Sequence, residues 1–215
     1  METEVKGTQI SIEPNSRPFL LKRLLADGTD TVLIFGLFML FTFLILRTPL
    51  SETYHRHFDR TQDIVRETAS RLQNDPEAVA QELSGNMEYR DELLAANLHG
   101  YLLKGLAAFL AELILLLAVP LLNRDRATAG KRLTGIMPFQ ERRQTRAKGG
   151  RILCRFLFVF LVDSMGLYLL TGTLTFLLVP VIRLTEMLLN RKNKTVCDAV
   201  TGIMIIEKAS YDGID

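Results

Sequence analysis

The sequence predicts an all-α fold, a small polytopic bundle of transmembrane helices, from three observations. Almost half of the 215 residues are hydrophobic while 23% are charged, and the two kinds are separated along the chain. Two long apolar stretches have the length of a bilayer span, and a third apolar region follows them. The segments between these stretches differ strongly in basic content, as they do in proteins that cross a membrane several times.

Residues 1–16 are polar and aperiodic and lack the apolar core of a signal peptide, so we expect a disordered cytoplasmic N-terminus. The first predicted span is Leu24–Leu46, and no charged residue occurs from Thr31 onward within it. A helix of that length extends about 35 Å, which is enough to cross the hydrocarbon core. The following Arg47 and Pro49 end the stretch.

The second predicted span is Leu98–Leu122, which is apolar except for Lys104 and Glu112. The third apolar region, residues 152–189, is too long for one straight span and short for two. We favour a helical hairpin that turns near residues 164–172. The alternative is a single kinked span with a tail on the opposite side of the membrane.

The orientation follows from the basic residues. Residues 123–151 contain nine Lys and Arg against two acids, whereas residues 47–97 contain six against ten acids. The positive-inside rule therefore makes 123–151 a basic cytoplasmic loop and 47–97 an extracytoplasmic insert. Lys22 and Arg23 place the N-terminus in the cytoplasm, and residues 207–215 form a tail.

The insert is predicted to be helical. Ile64, Thr68 and Leu72 are spaced by four, and Asp75-Pro76 has the pattern of a capped helix start. His55 and His57 form an H-x-H pair, but a polar segment without further ligands at suitable spacing favours a solvated helical hairpin over a metal site.

Acidic residues inside apolar stretches are the first candidates for function, because each costs about 2.5–3.5 kcal/mol at the centre of a span. They are Asp27, Asp30, Glu112 and Asp163. Arg23, Asp27 and Asp30 share one helix face, which fits either a structural ion pair or an ion pathway. Glu112 near the midplane fits a proton or cation relay.

The alternative for Glu112 is a carboxyl that stays neutral or pairs with a cation of another helix, for which the candidates are Lys104, Arg155 and Arg183. We interpret residues 128–135 as a cytoplasmic turn that carries Lys131 and Arg132 at the lipid surface, where anionic headgroups contribute roughly 1 kcal/mol per cation.

Four blocks resemble the RDD family of prokaryotic membrane proteins. Residues 17–30 are similar to its opening, with Arg23, Ala26 and Asp30 at the matching positions. Residues 128–136 resemble its T-x-G-K-x-L-x-G block, through Thr128, Gly130, Lys131 and Gly135. Arg151 and Arg155 lie in the region of the next basic positions, and residues 194–202 resemble the closing block with Asp198. Two departures are Cys197 in place of a histidine and Ile203 in place of a threonine.

The resemblance implies a multi-pass protein of the prokaryotic plasma membrane whose biochemical role is largely unassigned, with cation/proton antiport suggested for members. The residues favour an accessory or scaffolding membrane protein; the alternative is a small-ion transporter of the antiporter type that uses Asp30 and Glu112. Two observations count against transport: three or four spans are few helices for enclosing a pathway with alternating access, and no inverted repeat is evident between the two halves.

We expect no enzymatic activity, cofactor, metal or nucleic acid, because no nucleophile–base pair or metal-ligand spacing occurs. The expected partners are the lipid bilayer, anionic headgroups at the cytoplasmic face, and further copies of this chain or other membrane proteins. We also predict that Arg23, Asp30, Arg155 and Asp198 converge into one charge cluster.

Overall fold

The computed structural model describes residues 2–5, 8–11, 17–140, 145–166, 178–189 and 194–208. These residues are mostly helical, which confirms the predicted helical class. Internal contacts divide the chain into two compact units, one formed by Met1–Leu37 with Phe109–Asp215 and the other by Phe38–Ala108.

Helices provide most of the described structure. In chain order they are α1 (Arg17–Ile45), α2 (Glu52–Arg71), α3 (Pro76–Gly85), α4 (Met87–Glu112), α5 (Val119–Leu122), α6 (Ala129–Leu133), α7 (Gly149–Phe158), α8 (Leu178–Leu189) and α9 (Val196–Thr201). Short helical stretches of other types are a 3₁₀ turn at Pro49–Ser51 and π-helical segments at Leu113–Ala118 and Val159–Gly166. The strands are β1 (Glu2–Val5), β2 (Thr8–Ser11), β3 (Ile136–Gln140), β4 (Thr145–Arg146) and β5 (Ile203–Glu207).

Two helical stretches are long and apolar enough to cross a membrane. They are Phe19–Ile45, with 27 residues, and Met87–Leu122, with 36 residues. Only 28% and 33% of their most apolar windows are buried, whereas the core helix of a soluble protein is mostly buried. Both overlap the predicted spans, and each begins earlier in the sequence because polar residues extend the helix beyond its apolar part.

The third apolar region contains α7, the second π-helical segment and α8. Residues 167–177, which include most of the predicted hairpin turn, lie outside the described residues. The number of times this region crosses the membrane therefore stays a prediction.

The unit Phe38–Ala108 contains α2 and α3, so the prediction of a helical insert is right in its secondary structure. Asp75 caps α3 as predicted: its Oδ1 accepts hydrogen bonds from the backbone N–H groups of Glu77 (3.1 Å) and Ala78 (3.4 Å). Ile64 and Thr68 are buried. Of the predicted histidine pair, His57 Nδ1 lies 2.6 Å from Glu92 Oε2 and His55 Nε2 lies 3.1 Å from the carbonyl oxygen of Leu46.

Two small sheets were not predicted. β1 and β2 pair antiparallel, where the sequence predicts a disordered terminus. β4, β3 and β5 form an antiparallel sheet in that order. Side chains from this second sheet pack with the start of α1 and with α7 in one apolar cluster: Phe19, Ala26, Ile136, Ala147, Ile152, Ile203 and Ile205.

The second sheet contains a short internal repeat. The segments that begin at Thr128 and Thr195 both follow the pattern T-x₅-T-G-I-M, and each forms a helix, a glycine with positive φ and a strand. The strand register is symmetric, since Ile136 pairs with Glu207 and its counterpart Ile203 pairs with Gln140. No inverted repeat is evident between the two halves of the sequence, and this internal repeat covers only one helix and one strand.

Candidate functional site

A buried carboxylate, that of Asp198, receives two guanidinium groups. Arg23 of α1 donates from Nη2 to Asp198 Oδ2 at 2.7 Å, and Nη2 of Arg155 on α7 lies 2.9 Å from Oδ1. The Asp198 side chain is fully buried and that of Arg23 is 5% exposed. The Arg155 contact is a close ion pair without the alignment of a hydrogen bond. Helices α1, α7 and α9 therefore meet at one carboxylate.

The local sequence places Asp198 in this position. Thr195 is the N-cap of α9, and its Oγ1 accepts a hydrogen bond from the backbone N–H of Asp198 at 3.1 Å. Asp198 is thus in the first turn, where a negative charge is favourable to the helix. Gly202, with φ of 62°, ends the helix in the left-handed conformation and leads directly into β5.

Burial alone would raise the pKa of Asp198, but the positive charges of Arg155, Arg23 and Lys131 outweigh it and hold that pKa well below its usual range. The carboxylate is therefore ionised throughout the physiological pH range. A group that stays ionised is suited to holding helices together and unsuited to releasing and taking up a proton.

Asp30 caps a helix to which it is not joined in sequence. Its Oδ1 accepts a hydrogen bond from the backbone N–H of Gly130 at 2.7 Å, and its Oδ2 accepts one from the hydroxyl of Thr128. Thr128 is itself the N-cap of α6 but makes no capping bond with its side chain. The carboxylate of α1 therefore supplies the acceptor that the N-terminus of α6 needs.

Lys131 joins both aspartates of α1. Its Nζ lies 3.4 Å from Asp27 Oδ1 and 3.6 Å from Asp30 Oδ2, and the residue is only 4% exposed. The expectation that Lys131 lies at the lipid surface is therefore wrong, because two carboxylates compensate its burial. Arg132 is exposed and donates to Asn123 Oδ1 at 3.0 Å.

Gly130 is required by the closeness of α1 and α6. A Cβ atom at this position would lie 2.1 Å from the carbonyl oxygen of Ala26, a distance that no side chain tolerates. Ala26 is itself fully buried. The alanine of α1 and the glycine of α6 thus allow backbone contact, which brings Asp30 within reach of the α6 N–H groups.

Glu112 belongs to a different part of the same unit. It is 1% exposed, ends α4 where the π-helical segment Leu113–Ala118 begins, and accepts a hydrogen bond from Ser164 Oγ of the second π-helical segment. Sequence reasoning named Lys104, Arg155 and Arg183 as partners and missed this serine. A π-helical turn widens the helix by one residue and often accompanies a functional site.

The structure brings together most of the residues that the sequence singled out. Arg23, Arg155 and Asp198 meet as predicted, while the described contacts of Asp30 are to Thr128, Gly130 and Lys131. These two groups adjoin on α1, since Arg23 lies four residues before Asp27, and Asp27 contacts Lys131. We call them together the charge network.

Two residues have other roles. Gly135 has φ of 69° and forms the turn into β3, where its carbonyl oxygen accepts from the N–H of Lys208 at 2.8 Å. Cys197, which stands where the family resemblance implies a histidine, is buried with its Sγ 3.8 Å from the carbonyl oxygen of Arg155.

The sequence-based prediction did not use the internal repeat. The repeat places Lys131 and Asp198 at equivalent positions with opposite charge.

Two membrane-capable helices, with ion-paired residues buried near one end of the first, are features of a helical membrane protein. The chain belongs to the RDD family, whose model matches residues 17–202 and thus covers most of its length. No curated protein and no solved structure gives a significant match.

Proposed function

We propose that this chain is an accessory or scaffolding membrane protein whose buried charges are structural. In this proposal it is a multi-pass protein of the prokaryotic plasma membrane, with its N-terminus and the loop 123–151 in the cytoplasm. Its partners are the bilayer, anionic headgroups at the cytoplasmic face, and other membrane proteins or further copies of itself. The distribution of basic residues supports this orientation.

The observation that carries the proposal is the engagement of all three carboxylates of the charge network. Asp27 and Asp30 face Lys131, Asp30 also accepts two hydrogen bonds, and Asp198 faces two arginines. A carrier must release such contacts in each cycle, and breaking one buried pair costs several kcal/mol. Contacts that join α1 to α6, α7 and α9 are suited to fixing the fold.

The test is the substitution Asp30→Asn, with Asp59→Asn as a control at an exposed position of α2. The asparagine keeps the size of the side chain but removes the charge that faces Lys131 and the N-terminus of α6. A structural role predicts less protein in the membrane and a lower melting temperature for Asp30→Asn, with Asp59→Asn unchanged. Normal abundance and an unchanged melting temperature of Asp30→Asn would contradict the proposal.

A second candidate function, cation/proton antiport, is favoured by one observation. Glu112 is a buried carboxyl inside the stretch Met87–Leu122, at the start of a π-helical segment, and it accepts a hydrogen bond from the hydroxyl of Ser164. Glu112→Gln keeps the size of the side chain and an oxygen that accepts from Ser164. If the chain is an antiporter, this variant accumulates normally but loses cation-dependent proton movement.

A further inference from the structure

Two exposed leucines flank, in the sequence, the contact that joins α5 to α6. Leu122, the last residue of α5, is 86% exposed, and Leu133, the last residue of α6, is 78% exposed. The contact itself is a hydrogen bond from Arg132 Nη1 to Asn123 Oδ1 at 3.0 Å. Arg132 is exposed too, so a cation accompanies the two apolar side chains. We call Leu122, Arg132 and Leu133 the leucine patch.

The short helix α6 has one side toward α1 and one side away from it. Lys131 is buried against the aspartates of α1, whereas Leu133, two positions later, is rotated by about 200° and is exposed. The internal repeat shows the same pattern in α9, where Asp198 is buried against α1 and Val200, the counterpart of Leu133, is 66% exposed. A single exposed leucine is ordinary, but an exposed apolar side chain at equivalent positions of two helices indicates a surface that meets something apolar.

The level of α6 along the membrane-capable helices indicates what covers the patch. The uncharged run Thr31–Leu46 of α1 extends about 24 Å, whereas a hydrocarbon core is about 30 Å thick. One edge of the core therefore lies close to the start of this run, at the level of Asp30, which accepts a hydrogen bond from the backbone N–H of Gly130 in α6. Leu122 is the last residue of the second membrane-capable stretch. Helix α6 is thus held at an end of the apolar part of both stretches.

We propose that the leucine patch inserts into the boundary between the lipid headgroups and the acyl chains, so that α6 is an interfacial anchor of the membrane domain. Acyl chains remove the leucine side chains from water at this depth, and the guanidinium of Arg132 reaches the headgroup layer. Lipid fits better than a second copy of the chain because the patch continues an apolar surface of the second stretch, which also exposes Ile114 and Leu121.

The inference rests on the proposed function only for the presence of a bilayer. The chain contains no tryptophan, so a single one introduced by substitution reports on its own surroundings. The full-length variant Leu133→Trp is reconstituted in vesicles of phosphatidylcholine and phosphatidylglycerol. The acyl chains of these lipids carry bromine, which quenches tryptophan fluorescence, either near the headgroup or near the chain end.

Two further variants are the controls. Leu40→Trp replaces an exposed residue of α1 that lies about 15 Å along the helix from Asp30, and it reports on the interior of the bilayer. Gln81→Trp replaces an exposed residue of α3 in the polar insert, and it reports on a surface in water.

We expect Leu133→Trp to lose most of its fluorescence with bromine near the headgroup and less with bromine near the chain end, because an interfacial side chain enters only the outer part of the leaflet. Leu40→Trp should show the reverse order, and Gln81→Trp should be quenched little by either lipid. Where Leu133→Trp does not fold, Leu122→Trp decides by the same criteria.

Three results would overturn the inference. Quenching no stronger than that of Gln81→Trp would place the patch in water, and a blue-shifted emission without quenching would place it against another protein surface, such as a second copy. Quenching in the order of Leu40→Trp would place it deep in the bilayer. If Leu40→Trp is quenched as expected, such a result contradicts the anchor alone. If Leu40→Trp is not quenched, the membrane location in the proposed function fails as well.

Discussion

Arg23 and Asp198, which are 175 positions apart in the sequence, form a buried ion pair with 2.7 Å between Nη2 and Oδ2. The second oxygen of the same carboxylate faces Arg155 at 2.9 Å. The pair joins the first membrane-capable helix to the closing block of the family. It follows that the first and last matching segments of the chain depend on each other for their position.

The ion pairs of Asp198 predict strong coupling between α7 and α9. Asp198→Ala leaves two guanidinium groups without their carboxylate, so we expect a loss of about 3–5 kcal/mol of folding free energy. Arg155→Ala costs less because Asp198 keeps Arg23. The folding free energy of each variant is measured by denaturant unfolding in detergent. The loss in the double variant is expected to be smaller than the sum of the two single losses by about 1 kcal/mol or more. Arg155→Ala combined with Glu82→Ala, at an exposed pair of the other unit, is the additive control. Strict additivity for Arg155 and Asp198 would count against the network.

Gly130→Ala tests the close approach of α1 and α6. Alanine in place of glycine within a helix is ordinarily favourable by up to about 1 kcal/mol. At position 130 we expect the opposite, a severe loss of folded protein, since the new Cβ would meet the Ala26 carbonyl oxygen at 2.1 Å. Gly150→Ala in α7 is the control, because its Cβ has nothing within 4 Å. Equal melting temperatures for Gly130→Ala and Gly150→Ala would show that α1 and α6 can separate without loss of stability.

Alanine at each of the two glycines of the internal repeat, Gly135 and Gly202, is predicted to lower stability by different amounts. Both have positive φ, so Gly135→Ala and Gly202→Ala each carry about 1–2 kcal/mol of backbone strain. At Gly135 the space is open, whereas a Cβ at Gly202 would lie 2.4 Å from Arg151 Nη1, which donates to the carbonyl oxygen of Thr201. Thermal unfolding should therefore rank Gly202→Ala as the less stable variant. Equal melting temperatures would mean that Arg151 moves away freely.

The lowered pKa of Asp198 predicts how stability depends on pH. A carboxyl whose folded pKa lies below its unfolded value contributes stability that is complete above the unfolded pKa of about 3.9 and is lost as the pH falls through the folded pKa. The difference in melting temperature between the wild type and Asp198→Asn should therefore stay constant from about pH 5 to 8 and shrink only below about pH 4. A difference that changes near pH 7 would indicate that this carboxyl takes up a proton there.

The two membrane-capable helices, the helical secondary structure of the insert and the Asp75 cap could be predicted because each depends on local pattern: length, apolar content and a capping residue before a proline. The second sheet could not, because β3 contains a proline and pairs with a strand far along the chain. Its pairing is visible in the sequence only as the repeat that begins at Thr128 and Thr195.

The roles of the charged residues were predictable in part. Asp30 and Asp198 stand out because a carboxylate in or beside an apolar stretch needs a partner. Lys131 was expected at the lipid surface, since a basic residue in a basic loop is usually solvated. Its burial depends on the glycine before it, which brings α6 against the two aspartates of α1. That contact is tertiary and has no local signature.

The central claim, that the charge network holds the fold and does not carry ions, is tested most directly in liposomes with an internal pH dye. Wild type, Asp30→Asn and Glu112→Gln are reconstituted, and Na⁺, Li⁺ or K⁺ is added outside. Folded wild-type protein should produce no cation-dependent proton movement, while Asp30→Asn should be recovered with lower thermal stability. Proton movement by the wild type that disappears in an Asp30→Asn protein of unchanged stability would contradict the account and identify Asp30 as an ion carrier.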